Sequence, residues 1–142
     1  MKSIVFVTAL LFSSYGIAQD SVKVRVETPK IVTKLHLGKL MHFDDVDIKF
    51  VEVVTDSRCP KGVSCVWAGE AKVLVDIFKS GKKIEQKEIV FNTSNKYLDK
   101  LANIFASETL NISSYTLSPY PEYGKKIKIE EYYLQLDIKE TE

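Results

Sequence analysis

Apolar side chains recur at every second residue along most of this chain, and that period leaves few ways to fold. Val22, Val24 and Val26 alternate with Lys23, Arg25 and Glu27, and Ile31, Thr33, Leu35 and Leu37 carry the pattern on to Gly38. Ala71, Val73, Val75 and Ile77 repeat it against Lys72, Leu74, Asp76 and Phe78. A two-residue period is that of a strand with one buried face. Many such strands bury that face by stacking two sheets or by closing a barrel. The expectation is an all-β sandwich of seven or eight mostly antiparallel strands, with at most one short helix. A chain of 142 residues is long enough for one such domain with a real core.

Turn residues divide the pattern. Pro29 ends the strand at Ser21–Thr28, and Leu40–Phe43 meets a turn at Asp44-Asp45. Val46–Thr55 reads as a long strand, buried at Val46, Ile48 and Phe50 and on both faces by Val51, Val53 and Val54. Ser80-Gly81 joins Ala71–Phe78 to Ile84–Phe91 as a hairpin. Lys96–Ala106 alone has helical spacing: Tyr97, Leu98, Leu101, Ile104 and Phe105 would share a face, with Ser94 or Asn95 as cap. Leu110, Ile112, Tyr115 and Leu117 suggest another strand, closed by Pro119 and Pro121. Ile127 and Ile129 fall on odd positions, whereas Tyr132, Leu134, Leu136 and Ile138 fall on even ones. The slip would flip the buried face, so a bulge or bend is expected near Glu130-Glu131.

The N-terminus carries an address. Lys2 precedes the apolar run Ile4–Phe12, and small residues follow at Gly16 and Ala18, the layout of a secretory signal peptide over residues 1–18. The run is about half of the roughly 20 residues that a membrane-spanning helix needs. Cleavage is expected after Ala18 or Gln19, leaving 19–142 as a single exported domain. Loss of Lys2 equalises basic and acidic side chains, so no net charge recruits nucleic acid or an anionic surface from a distance. No cysteine stands at the junction to take a lipid anchor.

Export decides how the two cysteines are read. Cys59 and Cys65 enclose Pro60-Lys61-Gly62-Val63-Ser64, and an even pair in an oxidising compartment is most simply a disulfide. Pro60 and Gly62 help the chain turn back within so few residues. Closing so small a loop contributes about 2–2.5 kcal/mol on the chain-entropy account. No further Cys or His lies close enough to suggest zinc.

The block Asp56-Ser57-Arg58-Cys59-Pro60, followed by Cys65-Val66-Trp67-Ala68-Gly69, resembles a signature of small exported bacterial proteins and lipoproteins of uncharacterised function. Leu117-Ser118-Pro119-Tyr120-Pro121 and Tyr132-Tyr133-Leu134 are similar to the same group's C-terminal pattern. The resemblance covers most of the exported chain and implies a β-rich exported domain. It brings no activity with it. The lipoproteins' modified N-terminal cysteine is missing here, so the resemblance does not carry over membrane tethering.

Catalytic motifs are absent. No G-x-S-x-G, H-E-x-x-H, P-loop or dinucleotide fingerprint occurs. The two histidines, His36 and His42, would lie ~20 Å apart on one strand. A small hydrolase built on either is the weakest reading. Asp44, Asp45 and Asp47 lack the spacing and glycine of an EF-hand, and Asp is common in turns for backbone reasons. No metal or cofactor is indicated.

Arg58 stands out because Arg25 is the only other arginine, and its fork suits pairing with Asp56. Alternatively, Arg58 or Lys61 on a stapled loop would enter a trypsin-like pocket, making the protein an inhibitor of extracellular proteases. Trp67, beside the disulfide, is expected to pack on it in the core; full exposure would instead mark a ligand platform. Tyr120 and Tyr123 lie on a Pro/Gly-bounded loop and offer the best candidate binding surface, with Arg58 and Lys61 beside them in the reckoning. The leading expectation is a non-enzymatic binding module, with a protein or small ligand as partner in the periplasm or outside the cell. The intact mass of the exported protein should correspond to a chain beginning at Gln19 or Asp20; a mass retaining residues 1–18 would refute the leader.

Overall fold

The computed structural model describes residues 31–92 and 101–140. The leader, the strand expected at Ser21–Thr28 and the helix caps at Ser94 and Asn95 lie outside the described residues. Eight strands run in chain order: β1 (Ile31–His36), β2 (Leu40–Phe43), β3 (Val46–Asp56), β4 (Glu70–Lys79), β5 (Lys82–Asn92), β6 (Ala102–Ala106), β7 (Leu110–Ser118) and β8 (Tyr133–Glu140). They form two four-stranded antiparallel sheets, β1-β8-β7-β6 and β2-β3-β4-β5.

The alternation does what its period requires. Leu35, Ile104, Ile112, Leu117, Leu134 and Leu136 point in from the first sheet. Val46, Ile48, Phe50, Val73, Val75, Ile77 and Ile89 meet them from the second, in one continuous core. The architecture is therefore the expected sandwich. The β4–β5 hairpin turns through Ser80 (φ +50°) and Gly81 (φ +76°). Two successive left-handed residues give the turn whose twist matches that of the flanking strands.

Two local expectations are corrected, and a third, the bend near Glu130-Glu131, is met. The helix over Lys96–Ala106 is a strand where it is described: β6 pairs with β7 across a bulge between Asn103 and Phe105, and Ile104 is buried. A short run with apolar residues at 101, 104 and 105 fits either period, and pairing with β7 decides for the strand. Val51 and Val53 are only half-buried and Val54 is 46% exposed, because β3 is bulged after Phe50 and again after Val53. Each bulge steps the alternation by one and carries the end of β3 beyond the core. The slip before Tyr132 is taken up by a 3-10 turn at Ile129–Glu131 rather than by a strand bulge. Lys128 N–H donates to Glu131 Oε2 (3.0 Å) and Glu131 N–H to Lys128 C=O (3.0 Å), and Ile129 stays outside the core.

Phe50 is fully buried between the sheets, so Phe50→Ala should cost ~3–5 kcal/mol in chemical denaturation. Val54→Ala, on the solvent side of the bulges, should stay within ~0.5 kcal/mol of wild type.

Candidate functional site

Between β3 and β4 the chain leaves the sheet for residues 57–69, and the ladder narrows into a stem before the tip. Ser57 N–H donates to Glu70 C=O (2.8 Å), the Ser57 hydroxyl bridges the Glu70 carbonyl and amide, and Cys59 N–H donates to Ala68 C=O (2.8 Å). Gly69 closes the stem with φ +70°, and a Cβ there would lie 1.9 Å from the Ser57 carbonyl oxygen. Only glycine fits. Above the stem, Cys59 and Cys65 form the expected disulfide, with Cα atoms 6.0 Å apart.

A second loop, from the other sheet, is fastened to this one. Lys61 N–H donates to Pro121 C=O and Tyr123 N–H to Lys61 C=O, both at 2.9 Å, a short parallel bridge between Lys61 and Glu122. The Tyr120 hydroxyl donates to Cys59 C=O (3.0 Å). The two loops singled out in the sequence are thus one structure.

Arg58 lies beneath them, 3% exposed. Its Nε and Nη2 donate to the two Asp56 carboxylate oxygens at 2.7 Å each. Nη1 donates to Leu117 C=O (2.6 Å) and Nη2 also to Pro119 C=O (3.0 Å), while the guanidinium carbon sits 4.9 Å from the Tyr120 ring centre. The Tyr132 hydroxyl donates to Asp56 Oδ2 (3.1 Å). Burial would raise the Asp56 pKa, but the hydrogen bonds and charge of Arg58, with the Tyr132 hydroxyl, outweigh it and hold the carboxyl below its ordinary value. Burial, then the Asp56 charge and hydrogen bond, push Tyr132 up to about 12.

This geometry sorts the expected site residues. Arg58 pairs with Asp56 as one reading had it, and as a displayed residue it is corrected: its fork is spent inside the protein and cannot enter a protease pocket. Lys61 is exposed, its Nζ 5.7 Å from the Tyr120 ring centre and its backbone N–H and C=O both engaged by the second loop. Tyr120 is half-buried and committed to Cys59, whereas Tyr123 is 73% exposed. Trp67, expected in the core, is 80% exposed, and Val66 before it is 96% exposed. The disulfide is not in the core either, for Cys65 is exposed. The tight return Ala68-Gly69 keeps Trp67 at the tip. That return, legible as small residues straight after the aromatic ring, was the signal that could have placed it.

Beside Tyr120 an open cleft of about 450 Å³ is lined by Pro119, Tyr120, Ile127, the bases Lys125 and Lys126 and the acids Glu122 and Glu131. Neither histidine lines it. His36, on β1, stacks against Tyr133 with ring centres 5.4 Å apart, and His42, on β2 of the other sheet, meets the Asp47 carboxylate in the open. The Asp-rich turn is held by backbone and ion-pair contacts: Asp44 takes φ +51° and Asp45 faces Lys79 at 3.6 Å. Among the described residues no three His, Cys, Asp or Glu side chains gather as a metal site would need, and no helix is long and apolar enough to cross a membrane. The chain matches no protein-family model, no curated protein and no solved structure.

Arg58→Ala should cost ~3–5 kcal/mol at neutral pH, because it strands the Asp56 charge and two carbonyls in the interior. Arg58→Lys should recover little of it, lacking the planar fork. A depressed carboxyl stabilises above its unfolded value and loses that stabilisation as pH falls through the folded value. The gap between wild type and Arg58→Ala should therefore narrow as pH drops from about 6 toward 3. Denaturation curves across that range check both points.

Proposed function

We propose that this protein is a non-enzymatic exported binding module whose contact surface is the stapled tip, Val63, Val66 and Trp67, together with Tyr123. The observation that carries this is the exposure of Trp67 and Val66 on a loop tied down at its stem, at its disulfide and at Lys61. Singly exposed apolar residues are ordinary, but Val66 and Trp67 are adjacent and both largely in solvent, with exposed Val63 inside the same disulfide ring and exposed Tyr123 bonded to Lys61, a gathering of the sort that marks interaction sites. Tryptophan and tyrosine supply much of the energy in many binding surfaces. The stem, disulfide and bridge to 121–123 order the tip before any partner arrives, which lowers the entropy lost on binding. Arg58, Asp56 and Tyr132 serve as the base of that mount, and Tyr120 as its wall.

A photo-crosslinking residue at position 66, compared with one at Glu88 on the far strand β5, tests this in cells that export the protein. Adducts confined to position 66 are expected; equal labelling at both positions, or none at 66, refutes a contact role for the tip. Val66→Ala and Trp67→Ala should leave stability within ~0.5 kcal/mol of wild type, since neither side chain is packed. A larger loss on denaturation would show that the tip is structural instead.

A further inference from the structure

We infer that the surface taken by this tip is that of a lipid bilayer, with Val66 and Trp67 entering the boundary between headgroups and acyl chains. The inference rests on the tip being a contact surface, and adds what it touches.

Shape is the first ground. Val66 (96% exposed), Trp67 (80%) and Tyr123 (73%) stand in solvent on the two bridged loops, and none of them lines the cleft beside Tyr120. Small ligands are bound in concavities that bury most of their surface. Side chains that stand outside any concavity do not offer that; they are buried by sinking into something soft. Chemistry is the second. The foremost residues are aliphatic, and Trp67 and Tyr123 each carry an apolar body with one polar group, the combination enriched where hydrocarbon meets water.

Charge is the third ground. Residues 57–69 contain no carboxylate, and their only basic groups are Arg58, neutralised inside by Asp56, and Lys61, which is exposed. In the adjoining segment Lys125 is paired with Glu122, and Lys126 shares the cleft beside Tyr120 with Glu131. The loop that carries Val66 and Trp67 thus has one exposed cation and no carboxylate, a sign suited to anionic headgroup phosphates at short range even though the whole chain is nearly neutral.

Trp67 is the only tryptophan, so its fluorescence reports the tip and nothing else. The oxidised exported protein would be titrated with phosphatidylcholine vesicles, with and without phosphatidylglycerol, and with vesicles brominated high on the acyl chain. A saturable blue shift, quenching by the brominated lipid and several-fold tighter binding to the anionic vesicles are expected. Val66→Asp, which keeps the reporter, should weaken partition at least about tenfold with an unchanged melting temperature. Lys61→Glu should erase the preference for phosphatidylglycerol. Unchanged emission with every vesicle, or a shift indifferent to Val66→Asp, overturns the bilayer as ligand. Adducts of protein at position 66 in the crosslinking experiment would then leave the binding module standing with a protein partner; their absence would remove both.

Discussion

The Arg58 guanidinium is the interaction on which this end of the molecule depends. It projects from the extension of β3, in one sheet, and takes its partners from both: Asp56 two residues back, and the Leu117 and Pro119 carbonyls at the end of β7 in the other sheet. Tyr132, just before β8, completes the carboxylate's bonding. A sandwich has open ends where strands splay and backbone groups lose their partners. Here one planar cation closes such an end by meeting both oxygens of a carboxylate and two carbonyls at once, four bonds where a lysine's ammonium has three donors and no fork. Desolvating a charge is expensive, and the cost is met only because nearly every donor on the fork is used. The loops above can be rigid because the floor below them is.

Rigidity at the base is what gives exposure at the tip a meaning. An exposed tryptophan on a wandering loop would spend much of its time folded back on the protein. This one is held off by a glycine that admits no Cβ, a ladder bond from Cys59 to Ala68 and a bridge to the neighbouring loop. The arrangement separates labour between residues near in sequence: Arg58 is interior, Lys61 is exposed but bridged to the second loop, and Val66 and Trp67 stand largely in solvent.

Much of the fold was legible because a period of two has one structural meaning when it is sustained, as at Ala71–Ile77 or Leu134–Ile138. It failed where the run was short. Ala102–Ala106 satisfied a helical and a strand spacing equally, and only β7, distant in sequence, chose between them. The Asp56–Arg58 pair was readable because the partners are two residues apart. Tyr132 as third member was not, being 76 residues from Asp56. Trp67 was misplaced for a related reason: the expectation put the disulfide in the core, whereas the cysteine loop pairs with residues 121–123 at the outer end. Contacts between loops of different sheets leave no periodic trace.

The disulfide joins residues only six apart within a single excursion and ties neither sheet to the other. Topologically it is a knot in one lace, not a seam in the garment. The disulfide therefore braces the loop and leaves the sandwich to hold itself. The eight-stranded body and its arginine floor constrain one another, whereas Val66 and Trp67 stand largely in solvent. Their side chains can change without renegotiating the core.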